Sequence, residues 1–230
     1  LMKLVSEGLL NINNSVQSYL PEYKGDGREL RTVKDLLTHT AGYPPVFDFH
    51  RKGAKTGDAY FSQNSQTTKQ LLLTQVPLSN KYPAQAVYSD IDYMILGVLV
   101  ERITGQPLDD YLEQHIYAPL KLTNTVFNPL KKGFKRAEFA ATELSGNTRD
   151  GRITFDNIRT NVLQGEVHDE RAFYSFDGVA GHAGLFSNAP DLAVLCQVLL
   201  NQGGFGNTQL FSASTLAQFV TPQLNNETYG

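Results

Sequence analysis

The sequence predicts a mainly α-helical protein with little β-strand, and three observations support this. Capping residues stand directly before apolar runs of helical spacing, as Thr32 and Ser89 do. Glycines follow several of these runs, as Gly105 does, and helices commonly end in this way. Alternating apolar and polar residues, which are typical of strands, are short and few. So many helices with so little strand is unusual for an independent enzyme and indicates the helical half of a larger fold.

The composition is that of an ordinary globular chain. Of its 230 residues 41% are hydrophobic and 19% are charged, and the net charge is −3. This balance gives no reason to expect a nucleic-acid partner, and no run of eighteen apolar residues could cross a bilayer. The single cysteine, Cys196, cannot form an internal disulfide, and because it lies in an apolar run we expect a buried thiol.

The first elements are short helices. Residues 1–8 are typical of the second half of an amphipathic helix with its C-terminal glycine. We therefore expect the chain to begin within an element, so that a signal peptide could not be visible in it. Thr32 with Asp35 forms a capping box that opens a helix over 33–38.

A long connection follows. Residues 47–64 are polar and aperiodic and contain glycine, which predicts a long surface loop. A helix capped by Thr67 or Thr68 then continues to Gln75, and residues 77–83 are expected to be an extended link.

The strongest helix signal covers 91–103. Ser89 can cap this helix, and Asp92 can reach back to complete a capping box. Tyr88 therefore lies just outside a helix N-terminus, where the positive end of the macrodipole favours a negatively charged phenol oxygen. A tyrosine in this place can act as a base. The alternative is a hydrophobic staple in which Tyr88 folds over Tyr93.

One long irregular segment separates the remaining helices. A helix over 108–117 is expected to pack against the preceding one as a helical hairpin. Residues 118–187 have no sustained period apart from a candidate strand over 152–155, and so long an irregular segment is more often functional than idle. Two last helices are predicted. Asn188 caps a helix over 192–200, and Ser212 caps a helix over 213–220.

Four segments, in their order along the chain, are similar to those of one enzyme superfamily. They are Leu4-x-x-Glu7-Gly8, TVKDLLTHTAG over 32–42, Tyr88-Ser89-Asp90, and GHAGLFS over 181–187. The set resembles the serine β-lactamase and penicillin-binding protein superfamily on its class C side. It is most similar to the type 4B low-molecular-mass penicillin-binding proteins, described as D-alanyl-D-alanine carboxypeptidases. The resemblance implies that residues 1–230 are the helical portion of an α+β fold whose central antiparallel sheet is largely missing here.

In this family three motifs meet where a helical region borders a sheet: Ser-x-x-Lys, Tyr-x-Asn and Lys/His-Thr/Ser-Gly. The resemblance makes Tyr88 the catalytic tyrosine of the second motif. Asp90 takes the place of its asparagine. A carboxylate can only accept hydrogen bonds, and it adds a negative charge beside the expected lysine.

The other two motifs are not found in a convincing form. No serine in the sequence is followed three residues later by lysine, so the nucleophile is expected upstream of Leu1. Lys55-Thr56-Gly57 spells the third motif in a loop-like stretch, and we interpret it as a coincidence. His182-Ala183-Gly184 has the outline of a His-x-Gly version of the third motif. We expect a helix cap directly after it, whereas the third motif requires a strand. The third motif is expected beyond Gly230.

The free energy needed to lower the pKa of the Tyr88 phenol indicates what the chain can do alone. The pKa of a free phenol is near 10, and lowering it to about 7 needs roughly 4 kcal/mol. A helix N-terminus supplies about 0.3–1 kcal/mol and at most about 2 kcal/mol. A lysine cation would have to supply the rest. Without Ser-x-x-Lys the chain is therefore expected to be an inactive catalytic fragment.

Several other polar residues are candidates. The run Glu-Val-His-Asp-Glu over 166–170, with His182, invites a zinc interpretation, but adjacent ligands point in different directions and no His-x-x-x-His pair is present. The resemblance implies instead that His168, Asp169 and His182 border the cleft and meet substrate. The alternative is a loop held by local hydrogen bonds. His39 is expected to be a structural residue that ends a helix.

The resemblance implies a serine-type hydrolase that acts on peptidoglycan peptides through an acyl-enzyme, without a cofactor or metal. The expected partners are a peptidoglycan peptide or β-lactam and the remaining N- and C-terminal parts of the same protein, which would also carry any membrane association. The expected location is the bacterial periplasm or cell envelope.

Two alternatives remain open. One is a class C-type β-lactamase, esterase or D-aminopeptidase on the same scaffold. The other is a non-catalytic penicillin-recognising or regulatory protein. The feature of the sequence that favours it is Asp90, which stands in the place of the motif's asparagine.

Overall fold

The computed structural model describes residues 1–79, 82 and 84–224, and most of their regular structure is helical. The helices are α1 (Met2–Ser6), α2 (Val33–Leu37), α3 (Ser65–Thr74), α4 (Asp90–Thr104), α5 (Leu108–Leu112), α6 (Glu170–Ser175), α7 (Ala189–Leu200) and α8 (Ala213–Val220). One π-helical turn, Glu113–Tyr117, continues α5. The prediction of a mainly helical fold is confirmed. None of the helices in these ranges is long and apolar enough to span a bilayer.

The strands are two or three residues long and form separate antiparallel pairs. The pairs are β1 (Val126–Phe127) with β4 (Leu185–Phe186), β2 (Ala141–Glu143) with β3 (Leu163–Gln164), and β5 (Gly204–Phe205) with β6 (Thr208–Gln209). Across the described ranges, no larger sheet joins them. The candidate strand over 152–155 is wrong, because those residues form a turn and irregular backbone.

Helix α4 lies at the centre of the main core. Its apolar side chains are buried all round the helix, as is typical of a helix enclosed by other elements; they are Ile91, Met94, Ile95, Leu96, Val98, Leu99 and Val100. The helix packs against α2, α3 and α5, so the expected α4–α5 hairpin is present. Burying each large apolar side chain contributes roughly 1.5–3 kcal/mol. This packing holds α4, including its N-terminus, firmly in place.

The capping signals locate most helix starts correctly. At α2 the Thr32 hydroxyl accepts the Asp35 N–H at 3.2 Å while the Asp35 carboxylate accepts the Thr32 N–H at 2.7 Å. Asn188 caps α7 and Ser212 caps α8, as predicted. Helix α3 begins earlier than expected, because Asn64 caps it in place of Thr67 or Thr68.

Two expectations about burial are wrong. Cys196 is exposed, since it lies on a face of α7 where Leu199 and Leu200 are also exposed. Residues 47–64 are not a surface loop throughout, because Phe47, Phe49 and His50 enter the core. The extended link expected over 77–83 lies partly outside the described residues, which omit 80, 81 and 83.

Candidate active site

Tyr88 lies at the N-terminus of α4, where the sequence places it. The Ser89 hydroxyl caps the helix by accepting the Ile91 N–H at 3.2 Å, and it donates to the Pro44 carbonyl oxygen at 2.7 Å. These bonds tie the start of α4 to the segment that follows α2. Tyr88 is 50% exposed as a residue.

His39 packs directly against Tyr88. Its ring centroid lies 4.8 Å from that of Tyr88 and 5.1 Å from that of Tyr93, so the imidazole occupies the place where a staple would bring the two tyrosines together. His39 Nδ1 lies 2.9 Å from Asp92 Oδ2 and 3.2 Å from the Ser89 backbone nitrogen. The expected capping box is therefore wrong in its second half, because Asp92 pairs with His39.

Burial raises the pKa of Asp92 from 3.8 to about 6, although the hydrogen bond and charge of His39 oppose the shift. The unfolded chain therefore releases this proton near pH 4, while the folded chain holds it until about pH 6. The contribution of Asp92 to stability is full below pH 4 and is lost as the pH rises to 6. We expect this group to lower the free energy of unfolding by roughly 3 kcal/mol across that window.

Urea unfolding of the native chain and of Asp92→Asn between about pH 4 and about pH 7 checks this expectation. The variant should lack the decrease, because an amide does not titrate. Asp110→Asn, on the exposed surface of α5, is the matched control and should keep the native pH profile. Equal pH profiles for the native chain and Asp92→Asn would contradict the assignment.

Asp90 faces both Tyr88 and Arg171. Partial burial of the phenol, followed by the charge and hydrogen bond of Asp90, raises the pKa of Tyr88. Arg171 Nη1 lies 4.0 Å from Asp90 Oδ2, and Arg171 Nη2 donates to Asp48 at 2.8 Å. The guanidinium therefore offsets part of the charge that Asp90 brings. Neither Arg171 nor Asp48 was predicted as a site residue.

Asp169 and His182 form a pair beside this arginine. Asp169 caps α6 by accepting the Ala172 N–H at 2.7 Å, and His182 Nε2 lies 3.2 Å from the same carboxylate oxygen. Burial raises the pKa of Asp169, but the hydrogen bond and charge of His182, the Ala172 N–H and Arg171 together lower it to about 2. The charge of Asp169 in turn raises the pKa of Tyr88. The fold thus brings four of the five predicted residues into one cluster, namely Tyr88, Asp90, Asp169 and His182.

His168 faces a neighbouring cleft. A cavity of about 490 Å³ lies between residues 166–169 and 183–187, and His168 is part of its wall. The His168 carbonyl oxygen accepts hydrogen bonds from Asn147 Nδ2 at 3.0 Å and from Arg159 Nη2 at 3.4 Å. These bonds hold the loop that carries His168, and Asp169 lines the same cleft.

A contact between two glycines positions His182. A Cβ atom on Gly181 would lie 2.0 Å from the Tyr93 carbonyl oxygen and 2.9 Å from the Gly97 nitrogen, so only glycine lets this segment rest on α4. The segment then continues as strand β4. The expectation of a helix cap directly after the GHAG block is wrong, because this short strand precedes Asn188.

The structure shows where two other candidate motifs lie, namely Lys55-Thr56-Gly57 and the possible zinc ligands of residues 166–170. Lys55-Thr56-Gly57 lies in a turn before a 3₁₀ helix (Asp58–Tyr60) and belongs to none of the three strand pairs given above. Its threonine hydroxyl donates to the Asp48 carbonyl oxygen at 2.8 Å. Within the described ranges, no cluster of three or more His, Cys, Asp or Glu side chains could hold a metal ion. In the 166–170 run, Asp169 is engaged with His182 and Arg171.

Known proteins of similar sequence are found along the whole chain. The family model described as Beta-lactamase matches residues 1–230. A Bacillus subtilis (strain 168) relative named N-acetylmuramyl-L-alanine amidase is 50% identical over 235 residues, which cover 100% of this chain and 53% of the relative. An Escherichia coli (strain K12) relative named putative D-alanyl-D-alanine carboxypeptidase is 48% identical over 236 residues, covering 100% of this chain and 54% of the relative.

A solved structure shares the fold. A penicillin-binding protein homolog from Caulobacter crescentus superposes with a TM-score of 0.63 at 18% identity, covering 97% of this chain and 57% of that one. The chain spans about half the length of the curated relatives it matches.

Proposed function

The chain belongs to the beta-lactamase family, and from this premise we propose that, in a protein of its relatives' length, it forms the helical side of the active site of a serine-type D-alanyl-D-alanine carboxypeptidase. Its substrates would be peptidoglycan peptides of the bacterial envelope. The observation that carries the proposal is Tyr88, a half-exposed residue at the N-terminus of the central helix, whose phenol lies beside Asp90 and Asp169.

In the proposed reaction a serine hydroxyl attacks the carbonyl carbon of the D-Ala-D-Ala amide. The serine proton passes to Tyr88 and then to the nitrogen of the leaving D-alanine, and the acyl group remains on serine as an ester. Water attacks this ester, gives its proton to Tyr88, and releases the shortened peptide while serine regains its proton. The serine and its lysine belong to a Ser-x-x-Lys motif that this sequence does not contain.

The electrostatics explain why that lysine is needed. Partial burial, Asp90 and Asp169 all raise the pKa of Tyr88. The helix N-terminus offsets only about 0.3–1 kcal/mol of this effect. A neighbouring ammonium group lowers the pKa of a phenol, and it would also pair with Asp90. The 230-residue chain alone is therefore proposed to be inactive.

A second candidate is hydrolysis of the amide between N-acetylmuramic acid and L-alanine. The name of the Bacillus subtilis relative, which is 50% identical to this chain, favours it. Both reactions are acyl transfers from an amide to serine and use the same groups. They differ in which amide of the peptidoglycan lies over the nucleophile, and the cleft beside His168 would decide this.

The test uses a chimera in which residues 1–230 replace the matching segment of the Escherichia coli relative. We expect this protein to release D-alanine from a peptide ending in D-Ala-D-Ala. Release of peptide from an N-acetylmuramyl peptide, without release of D-alanine, would favour the second candidate. A folded chimera that hydrolyses neither amide would overturn both, and a nitrophenyl ester assay would then show whether any acyl transfer remains.

A further inference from the structure

The segment TVKDLLTHTAG over 32–42 contacts the chain on both sides of Tyr88. The carbonyl oxygen of His39 accepts the Val87 N–H at 2.9 Å, and His39 Nδ1 lies 3.2 Å from the Ser89 backbone nitrogen. Val87 and Ser89 are the two chain neighbours of Tyr88. A single residue, His39, therefore contacts the backbone directly before and directly after the tyrosine.

The imidazole ring of His39 also contacts the ring of Tyr88. The two ring centroids lie 4.8 Å apart, and the other face of the contact is Tyr93, whose stacked ring lies 5.1 Å from that of His39. These distances are typical of favourable contacts between aromatic rings. His39 is only 6% exposed, whereas Tyr88 is 50% exposed. The half-exposed tyrosine therefore rests on a buried ring.

Two sets of contacts hold His39 in place. Its Nδ1 lies 2.9 Å from Oδ2 of Asp92, which is 1% exposed and belongs to the first turn of α4. The hydroxyl oxygens of Thr38 and Thr40 lie 3.1 Å apart, and the Thr40 hydroxyl donates to Asp35 Oδ1 at 3.3 Å. These contacts fix the backbone on both sides of His39 and the orientation of its ring against α4.

The backbone of His39 lies in the left-handed region, with φ +58°. It follows the C-cap residue of α2, Thr38, and glycine or asparagine is the usual residue in such a place. A larger side chain there carries a conformational cost, and residues held in this way cluster at functional sites. The end of α2 alone does not account for a histidine at this position, whereas its contacts with Tyr88 do.

We infer that His39 is a positioning residue for the proton transfer at Tyr88. It holds the tyrosine by contacting the ring and both flanking residues, and it affects the reaction only through Tyr88. The inference rests on the proposed function and deepens it, since it names the residue that keeps the acid–base group in its place. Proton transfer depends strongly on such placement, because a displacement of about 1 Å can cost about 10²-fold in rate.

The first test is the variant His39→Asn in the chimera. Asparagine tolerates a positive φ, and its amide stands where Nδ1 does, but it has no ring to support Tyr88. We expect kcat to fall about tenfold while KM changes less than about twofold, because the acid–base group is displaced and the substrate contacts remain.

His115→Asn is the matched control. His115 also packs on a tyrosine, since its ring centroid lies 4.7 Å from that of Tyr111, and this pair lies outside the cluster around Tyr88. The same substitution there should keep native kcat. All rates are compared at a temperature at which urea unfolding shows each variant to be folded.

A double variant separates positioning from other effects. If His39 acts only through Tyr88, then His39→Asn combined with Tyr88→Phe should have the kcat of Tyr88→Phe alone. A loss of stability, or a second route to the reaction, would instead lower kcat about tenfold further.

Relaxation of the ¹³C nuclei in the Tyr88 ring provides a test that requires no catalysis. It uses the 230-residue chain, and the resonances are assigned by their loss in Tyr88→Phe. We expect a ring order parameter near about 0.85 in the native chain and in His115→Asn, and below about 0.6 in His39→Asn, the values of rigid and flexible groups.

The outcomes distinguish this inference from the proposed function. An unchanged order parameter in His39→Asn, a native kcat for this variant in an active chimera, or a further loss in the double variant would overturn the role of His39 alone. A chimera that hydrolyses neither amide would overturn the proposed function. The relaxation experiment would then still decide whether His39 holds Tyr88.

Discussion

Replacing Tyr88 by phenylalanine in the chimera is expected to lower kcat for the amide substrate by about 10²–10⁴-fold, the usual contribution of a positioned acid–base group. The ring would still pack on His39, whose centroid lies 4.8 Å away, so the change removes only the hydroxyl. KM should change little, because the proton transfer belongs to the transition state. Steady-state release of D-alanine measures both constants.

Tyr111→Phe provides the matched control. Tyr111 is buried in α5, and its hydroxyl has no hydrogen-bond partner within the described part of the chain. This variant removes the same atom at a distance from the site and should keep native kcat. If Tyr88→Phe retained native kcat in a folded chimera, Tyr88 would not be the proton-transfer residue.

Gly181→Ala is expected to lower the free energy of unfolding of the chain by about 3 kcal/mol or more, at or above the upper end of ordinary overpacking. The new Cβ would lie 2.0 Å from the Tyr93 carbonyl oxygen and 2.9 Å from the Gly97 nitrogen. Both are backbone atoms of α4, and a buried helix cannot move aside as a flexible side chain can. The displaced segment would also carry His182 away from Asp169.

Urea unfolding compares this variant with Gly25→Ala. Gly25 has φ +85° and open space around its Cβ position, so alanine there costs only the backbone strain of about 1–2 kcal/mol. A Gly181→Ala variant no less stable than Gly25→Ala would show that the 181–187 segment does not rest on α4 as described.

Local chemistry made part of this structure predictable. Ser89 and Thr32 mark helix starts because a side-chain oxygen at the N-cap satisfies a nearby backbone N–H, which depends on a few neighbouring residues. The same rule predicted that Tyr88 would stand outside the start of α4. The burial of α4 follows from its apolar residues, which occupy every face of the helix.

The partners of these residues were not predictable in the same way. His39 and Asp92 are 53 residues apart, and Arg171 and Asp48 are 123 apart, so no local pattern links them. Asp92 was assigned to the cap because its spacing from Ser89 fits one, but the tertiary contact with His39 prevailed. The strands were not predicted from the sequence, because a strand of two or three residues is too short to show a period.

The central claim is that the Tyr88 phenol gains basicity only from a cation that the 230-residue chain does not contain. A pH titration of the Tyr88 ¹³Cζ resonance in this chain, assigned by its loss in Tyr88→Phe, tests it most directly. We expect a pKa above the ordinary value of 10.0, because partial burial, Asp90 and Asp169 all disfavour the phenolate. A pKa of about 7 in the isolated chain would contradict the claim, since it would mean that residues 1–230 activate this tyrosine unaided.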